Sequence, residues 1–451
     1  MVFSLRLGEE NKNMEKFFKL KENGTTVRTE LIAGLTTFLA MAYILGLNPQ
    51  ILGDAGMPKN GVFLATTIAS GVACIIMGLL ANYPVALSAG MGVNALFAYT
   101  IVAQMHLSWK GALACVFVSG LIFILITVTK VREMIINAIP VQLKLAIGAG
   151  IGFFVAFVGL RNAGIIVASP ATVVGLGTFS DPKVLLALLG IIITLVLVIL
   201  RVPAAVFVGL VITAVIGTVM GFAGIKEMPH YTGVMSINFD FSLVGACFDG
   251  MKELFSHPQC WAAIFSLLFV DFFDTAGTLV AVAGKTNLMK ENGELENVEK
   301  ALLADSIGTV FGSVMGTSTI TSFVESASGV GVGGRTGLTA VTTGVLFLLA
   351  SFFSPVLSFI TSSVTTPALV VVGIMMAQQL KGVEWDDMVI AASTFVTVII
   401  MILGYSISNG IAAGFIVYAA GMIASGKAKD VSWIVWLLSI LFIVYFAYAP
   451  K

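Results

Sequence analysis

The stretch GTSTITSFVESASGVGVGGRTG, residues 316–337, passes from Thr and Ser through one acidic residue, Glu325, into a run broken by glycine. It sits among apolar runs long enough to cross a bilayer, roughly 297–316 before it and 335–354 after it. This composition predicts no regular lipid-facing helix. Backbone N–H and C=O groups left free at membrane depth must be buried in protein or line a cavity. A second broken stretch, Ser88-Ala89-Gly90-Met91-Gly92-Val93-Asn94, falls in the third apolar run, as the first falls in the tenth. Short, Gly-interrupted segments at corresponding positions of two halves point to a transport site. For either alone, glycine permitting close helix packing is explanation enough.

The rest of the chain fits that frame. A helix rises 1.5 Å per residue, so about 20 apolar residues cross a hydrocarbon core of about 30 Å. By that measure the first half reads as spans at 29–48, 61–80, 84–104, 111–129, 141–166, 183–200 and 203–223. A polar linker follows at 224–258. The second half reads 259–283, 297–316, 319–333, 335–354, 365–380, 387–405 and 408–424. The last run, 432–448, suits either a further span or an interfacial helix. An odd number of spans per repeat forces the two repeats into opposite orientation, the inverted-repeat design of many secondary transporters. The predicted fold is therefore an all-α polytopic membrane protein of about 14 transmembrane helices, built as two inverted seven-helix repeats.

Composition agrees. Of 451 residues, 58% are hydrophobic and 11% charged, against about 25% charged in soluble domains. The mean hydropathy is +1.02. These values exclude a soluble enzyme, a disordered chain and a nucleic-acid binder, and make the lipid bilayer the chain's main partner. Lys+Arg and Asp+Glu are balanced at 24 each. The four cysteines, Cys74, Cys115, Cys247 and Cys260, show no metal-ligand or disulfide spacing. His106, His230 and His257 fall at run ends or in the linker, which disfavours haem or metal-centred chemistry. No metal or cofactor is expected. The polar N-terminal segment, 1–28, lacks the apolar core of a signal peptide. Basic loop residues concentrate on its side of the membrane, which predicts a cytoplasmic N-terminus in the plasma (inner) membrane.

An ionised side chain at the centre of a bilayer costs at least a few kcal/mol. Asp271, Asp274, Asp305 and Glu325 fall within the spans with no Lys or Arg beside them mid-span. Desolvation favours the neutral form of a carboxyl. Such groups can take up and release a proton as water access alternates, which is what proton-coupled transport requires. In FVDFFDTAGTLVAVAG (269–284), Asp271, Asp274, Thr275 and Thr278 recur at helical spacing and make one polar stripe. Asp274 is read as functional, Thr278 as a substrate contact, and Asp271 as functional or structural. Asp305 is expected to orient its neighbours. Glu325 is read as a substrate or proton group, with Ser326 beside it as a further substrate contact, and a half-helix N-terminus beginning nearby would offer open N–H donors. Asn94 either contacts substrate or bonds helix to helix. Phe272, Phe273 and Phe323 can stack on a planar ligand, or simply pack. Arg335 is placed at the cytoplasmic edge as a snorkelling residue.

These segments resemble the nucleobase:cation symporter-2 (nucleobase–ascorbate transporter) family, in its AzgA-like purine permease branch. The matching stretches are LIAGLTTFLAMAYILGLNPQIL (31–52), SAGMGVNALFAY (88–99), VDFFDTAGTLVAVAG (270–284), STITSFVESASG (318–329) and GGRTGLTAVTTG (333–344). The resemblance implies a core domain (29–129 and 259–354) that carries substrate and a gate domain (141–223 and 355–448 with the C-terminal helix). It implies substrate held between the third and tenth segments, with contacts from Asp274, Phe323, Val324, Glu325, Ala89 and Gly90. Uracil permeases of this family carry a His after the helix-eight Gly, where this chain has Thr278, so coupling would fall on Asp274 and Glu325. The function implied is import of hypoxanthine, guanine or adenine by proton symport, through an elevator-like alternating-access motion. Carboxyl and backbone oxygens would serve sodium as well as a proton. Dimerisation through the gate domain is a further implication of the family.

The competing reading is an anion transporter of the sulfate-permease type, which shares the architecture. An uncompensated carboxylate at Glu325 argues against an anion there. A membrane enzyme would need a constellation such as H-E-x-x-H, and the sequence has none.

Overall fold

The structure, a computed structural model, describes residues 14–129, 138–229, 233–283, 286 and 297–448. Among the described residues, nine helices are long and apolar enough to cross a membrane, and four shorter apolar helices join them.

The first membrane crossing, Val27–Asp54, is interrupted. Helix α1 (Val27–Met41) and helix α2 (Ile44–Asp54) are separated by a turn at residues 42 and 43 whose backbone stays in the right-handed helical region, and Pro49 lies inside α2. Helix α3 (Lys59–Leu80) returns, and the chain then extends into strand β1 (Leu87–Ala89). A short helix α4 (Met91–Ala95) follows and widens into a π-helical stretch, Leu96–Val102. Helices α5 (Trp109–Val128) and α6 (Val141–Asn162) are full spans. A hairpin of β2 (Ile166–Ser169) and β3 (Val173–Leu176) precedes α7 (Pro182–Ile199) and α8 (Ala205–Phe222). That hairpin was not legible as a strand pair inside a predicted loop.

The linker holds two short helices, α9 (Ala246–Asp249) and α10 (Met251–Ser256). Helices α11 (Gln259–Ala283) and α12 (Val298–Met315) lead to strand β4 (Ile320–Ser322) and the short helix α13 (Ser326–Gly331). Helix α14 (Gly337–Ala350) continues as a 3₁₀ stretch, Ser351–Phe359. Helices α15 (Ser362–Ala377), α16 (Met388–Leu403), α17 (Ile407–Ala424) and α18 (Trp433–Tyr448) complete the chain. The last apolar run is thus a 16-residue helix that packs on α17.

Local sequence explains many of the helix starts. Thr26, Ser108, Asp181, Thr336, Asp387 and Ser406 each accept a backbone N–H in the first turn that follows. In a bilayer such N–H groups have no water to turn to.

The two broken segments meet. β1 and β4 pair antiparallel, with Leu87 opposite Ser322, Ser88 opposite Thr321 and Ala89 opposite Ile320. The β-branched run Thr319-Ile320-Thr321 favours extended backbone. Open sheet edges do not survive in a membrane interior; here the ladder extends beyond the strands, and α3 and α12 take up edge groups. Gly90 N–H donates to Thr319 O at 3.1 Å, and Phe323 N–H donates to Ala86 O at 2.9 Å. Leu87 exchanges hydrogen bonds with Cys74 Sγ, and Thr309 Oγ1 donates to Ile320 O at 3.0 Å. The first two of these contacts link the third and tenth segments, and the others tie them to α3 and α12.

The helices sort into two packing groups. One gathers α1 to α5 with α11 to α14, where α3 packs on α14 and α5 on α12. The other gathers α6, α7, α8 and α15 to α18, where α6 packs on α15 and α16 on α17. The close approach of α3 and α14 requires glycine, because a Cβ at Gly337 would collide with Gly78 O. That is the small-residue packing expected of membrane helices.

Candidate functional site

Helix α11 carries the predicted polar stripe, and tertiary packing divides it. Asp271, Thr275 and Asp305 are fully buried. Thr275 Oγ1 lies 3.0 Å from Asp305 Oδ1 and 3.4 Å from Asp271 Oδ1, so one hydroxyl joins two carboxyl groups of α11 and α12. Asp274 turns the other way, to the ribbon, and stays partly exposed. Thr321 Oγ1 donates to its Oδ2 at 3.3 Å. A Cβ at Gly90 would lie 3.3 Å from that same oxygen and 2.7 Å from Thr321 Oγ1. Glycine at 90 is therefore what lets a carboxyl approach the start of α4, whose first-turn N–H groups have no acceptor within the helix. Thr278 is buried one turn further along α11.

Glu325 stands at the N-cap of α13 and is also partly exposed. Its Oε1 accepts a hydrogen bond from the hydroxyl of Tyr43, which is only 1% exposed. Tyr43 lies in the turn between α1 and α2, and from there its hydroxyl reaches the site. Asp274 is within electrostatic range of both Glu325 and Asp305. Among the described residues, neither Asp274 nor Glu325 is paired with a Lys or Arg. The arrangement is a two-stranded ribbon flanked by two partly exposed carboxyl groups, with open backbone donors at the head of α4. Such a set can meet the mixed donors and acceptors of a polar, planar molecule.

The other predicted residues have more settled partners. Ser326 is fully buried, and its Oγ accepts Ala86 N–H at 3.0 Å. Asn94 is fully buried; its Oδ1 accepts from Ser318 Oγ, while its Nδ2 has no partner among the described residues. Ala89 lies in β1 opposite Ile320. Phe272 and Phe323 are each 5% exposed, and Val324 is 39% exposed. The side chain of Phe273 lies outside the described residues. Arg335 does not snorkel. Its guanidinium donates at 2.7 Å to both Val330 O and Gly334 O, at the end of α13. A cation there complements the negative end of a helix.

Two buried polar side chains, one bonded to Glu325 and one holding a helix start, were missed from sequence. Tyr43 had a weak signal, since a buried tyrosine hydroxyl in an apolar run needs a partner. Glu30, at the start of the first span, is fully buried and accepts from Arg335 N–H at 2.8 Å, Thr339 N–H at 3.1 Å and Thr339 Oγ1 at 2.6 Å. It holds the N-terminus of α14.

A family model described as the permease family matches residues 28–413. The chain belongs to this family. It is the nucleobase–ascorbate transporter family, and the resemblance to its purine permease branch holds. The permease is 48% identical over 444 residues to the guanine/hypoxanthine permease PbuG of Bacillus subtilis (strain 168), covering 96% of this chain and 100% of that one. It is 42% identical over 434 residues to the adenine permease AdeP of Escherichia coli (strain K12), covering 96% of this chain and 95% of that one. Among solved structures it matches the transmembrane domain of the cyanobacterial bicarbonate transporter BicA. The TM-score is 0.62 at 16% identity, over 86% of this chain and 96% of that one. That likeness shows the fold, with its inverted repeats, and nothing of the substrate. The permease is a transporter rather than an enzyme.

Proposed function

We propose that the permease imports purine nucleobases, with hypoxanthine, guanine and adenine as the candidate substrates, by proton symport. The observation that carries this reading is the pair Asp274 and Glu325, one bonded to Thr321 of β4 and the other three residues beyond that strand, neither ion-paired among the described residues. The names of the relatives, guanine/hypoxanthine and adenine permeases, support a purine as the ligand.

In this mechanism Glu325 accepts substrate N–H groups, the N–H donors at the head of α4 meet ring nitrogens and exocyclic oxygens, and the Thr321 hydroxyl holds Asp274 in place beside them. A carboxyl held away from bulk water gains or loses its proton as access changes. Proton and base then cross together. The packing group that contains the ribbon acts as the core domain, and the group built on α6 and α15 acts as the gate. The core moves against the gate in an elevator-like step, exposing the ribbon to each side in turn. The same reading puts the N-terminus in the cytoplasm, the chain in the plasma membrane and a homodimer contact on the gate.

The test is uptake of labelled hypoxanthine, guanine and adenine by cells expressing the permease. A protonophore should collapse uptake, whereas replacing sodium with choline should leave it unchanged. Glu325→Gln and Asp274→Asn should each lower the rate at least tenfold, a loss of about 1.4 kcal/mol or more, at normal membrane abundance. Uptake indifferent to the proton gradient sinks the symport, and wild-type rates from both variants move the site elsewhere. The anion-transporter alternative has only the BicA-like fold behind it. It predicts bicarbonate or sulfate uptake that purines do not inhibit.

A further inference from the structure

A cluster of polar and aromatic side chains ties the two helix groups together at the membrane face opposite the N-terminus. On the first group, the Tyr99 hydroxyl donates to Asp54 Oδ2 at 2.8 Å. On the second, Asn162 at the end of α6 donates from Nδ2 to the Tyr99 oxygen at 2.8 Å. The Tyr99 ring also meets the ring of Tyr405 edge-on, with centroids 5.8 Å apart. Tyr405 lies between α16 and α17, and its carbonyl accepts from Gln104 Nε2 at 3.1 Å. Arg161 stacks over the Tyr405 ring at 5.1 Å and donates to its hydroxyl at 3.0 Å. A second tie at the same face runs from Gln50 Nε2 on α2 to Ser362 Oγ at the start of α15, at 3.3 Å.

We propose that the contact of Asp54 and Tyr99 with Asn162, Arg161 and Tyr405 is a reversible latch that holds the two helix groups shut at this face. Two uncommon backbone conformations meet in it. Tyr99 sits in a π-helical stretch, a pattern frequent at functional sites. Tyr405 adopts φ 49°, a left-handed conformation that costs energy for a residue with a side chain. Strain on the Tyr405 side of the contact suits a part that must release. The bonds are also weak one by one, because Asp54, Gln104 and Arg161 are exposed to water. Several small terms that break together give a closed state that thermal motion can open. The latch is mechanically joined to the ribbon, since Tyr99 and Gly90 belong to one continuous segment, Gly90 capping α4 and Tyr99 in the stretch that continues it. A shift at the ribbon is thereby passed along one rod to the latch.

This inference rests on the two groups moving relative to each other, and it is independent of which molecule is carried. The test needs no substrate. Val158 precedes Asn162 by one helical turn on the same face of α6 and is 1% exposed. In Val158→Cys, a membrane-impermeant maleimide should react slowly from the latch side. Adding Tyr99→Phe, which keeps the ring and removes the hydroxyl bridge, should raise the labelling rate about tenfold, and Asn162→Ala should do the same. Rates within twofold of the parent overturn the latch. The native cysteines are buried, so they report loosening of the whole fold. Their labelling in Tyr99→Phe without Val158→Cys would also overturn it. Because the readout is thiol reactivity, a failed purine assay leaves this result standing, and a failed latch leaves the purine assay standing.

Discussion

At the residue scale, Tyr43 and Glu325 show how a membrane interior keeps a carboxyl usable. The tyrosine satisfies one oxygen and is itself buried, so Glu325 stays aimed while part of it remains open. Tyr43→Phe keeps the packing and deletes that bond. A hydrogen bond to a charged group is worth about 1.5–3 kcal/mol, so labelled purine uptake per molecule in the membrane should drop about tenfold. A wild-type rate would make Tyr43 a bystander. Asp274 and Glu325 were legible in sequence because acidic residues stand out against an apolar run. Their partners were not. Helical spacing put Asp271, Asp274 and Thr275 on one stripe, but it held no sign that Asp271 turns to α12 and Asp274 to the ribbon. That division depends on where α12 and β4 pass, roughly 30 to 50 residues further along the chain.

At the scale of elements, the interrupted segments persist because other elements satisfy their backbone. The glycines and serines announced the breaks. They did not announce that the two breaks pair as strands, because strand pairing is a relation between distant segments. Glu30 and Arg335 are the clearest case of support from outside. Each charge would be costly in lipid, and each is spent on a helix end, Glu30 at the start of α14 and Arg335 at the end of α13. Glu30→Ala removes the acceptor of several buried donors, which cost about 1–3 kcal/mol each when orphaned. Melting of the detergent-purified permease should therefore fall by about 5 °C or more, with partial recovery in Glu30→Gln. An unchanged melting temperature would mean that water or another group replaces the carboxylate.

At the scale of the whole molecule, the proposed elevator-like step requires the core group to slide on the gate group without jamming. Gly92 on α4 faces Ile151 of α6, and a Cβ there would lie 2.8 Å from Ile151 Cγ2. No Asp274 or Thr321 atom is among the nearest neighbours of that Cβ. Gly92→Val should therefore wedge the two groups and leave the site's polar contacts in place. Uptake should fall at least tenfold while equilibrium purine binding to the purified permease changes less than about threefold. Equal loss of both would mean that the substitution displaces the N–H donors at the head of α4 rather than wedging the two groups. The sequence by itself determined the membrane class, the order of spans, the two broken segments and the acidic residues between them, because hydropathy and charge are local and their cost in lipid is large. Only the tertiary structure decided that the breaks form one ribbon, that a tyrosine from the first crossing meets Glu325, and that a polar cluster ties the two groups at one face. Each of these is a contact between segments far apart in the chain, made by residue types that are unremarkable where they stand.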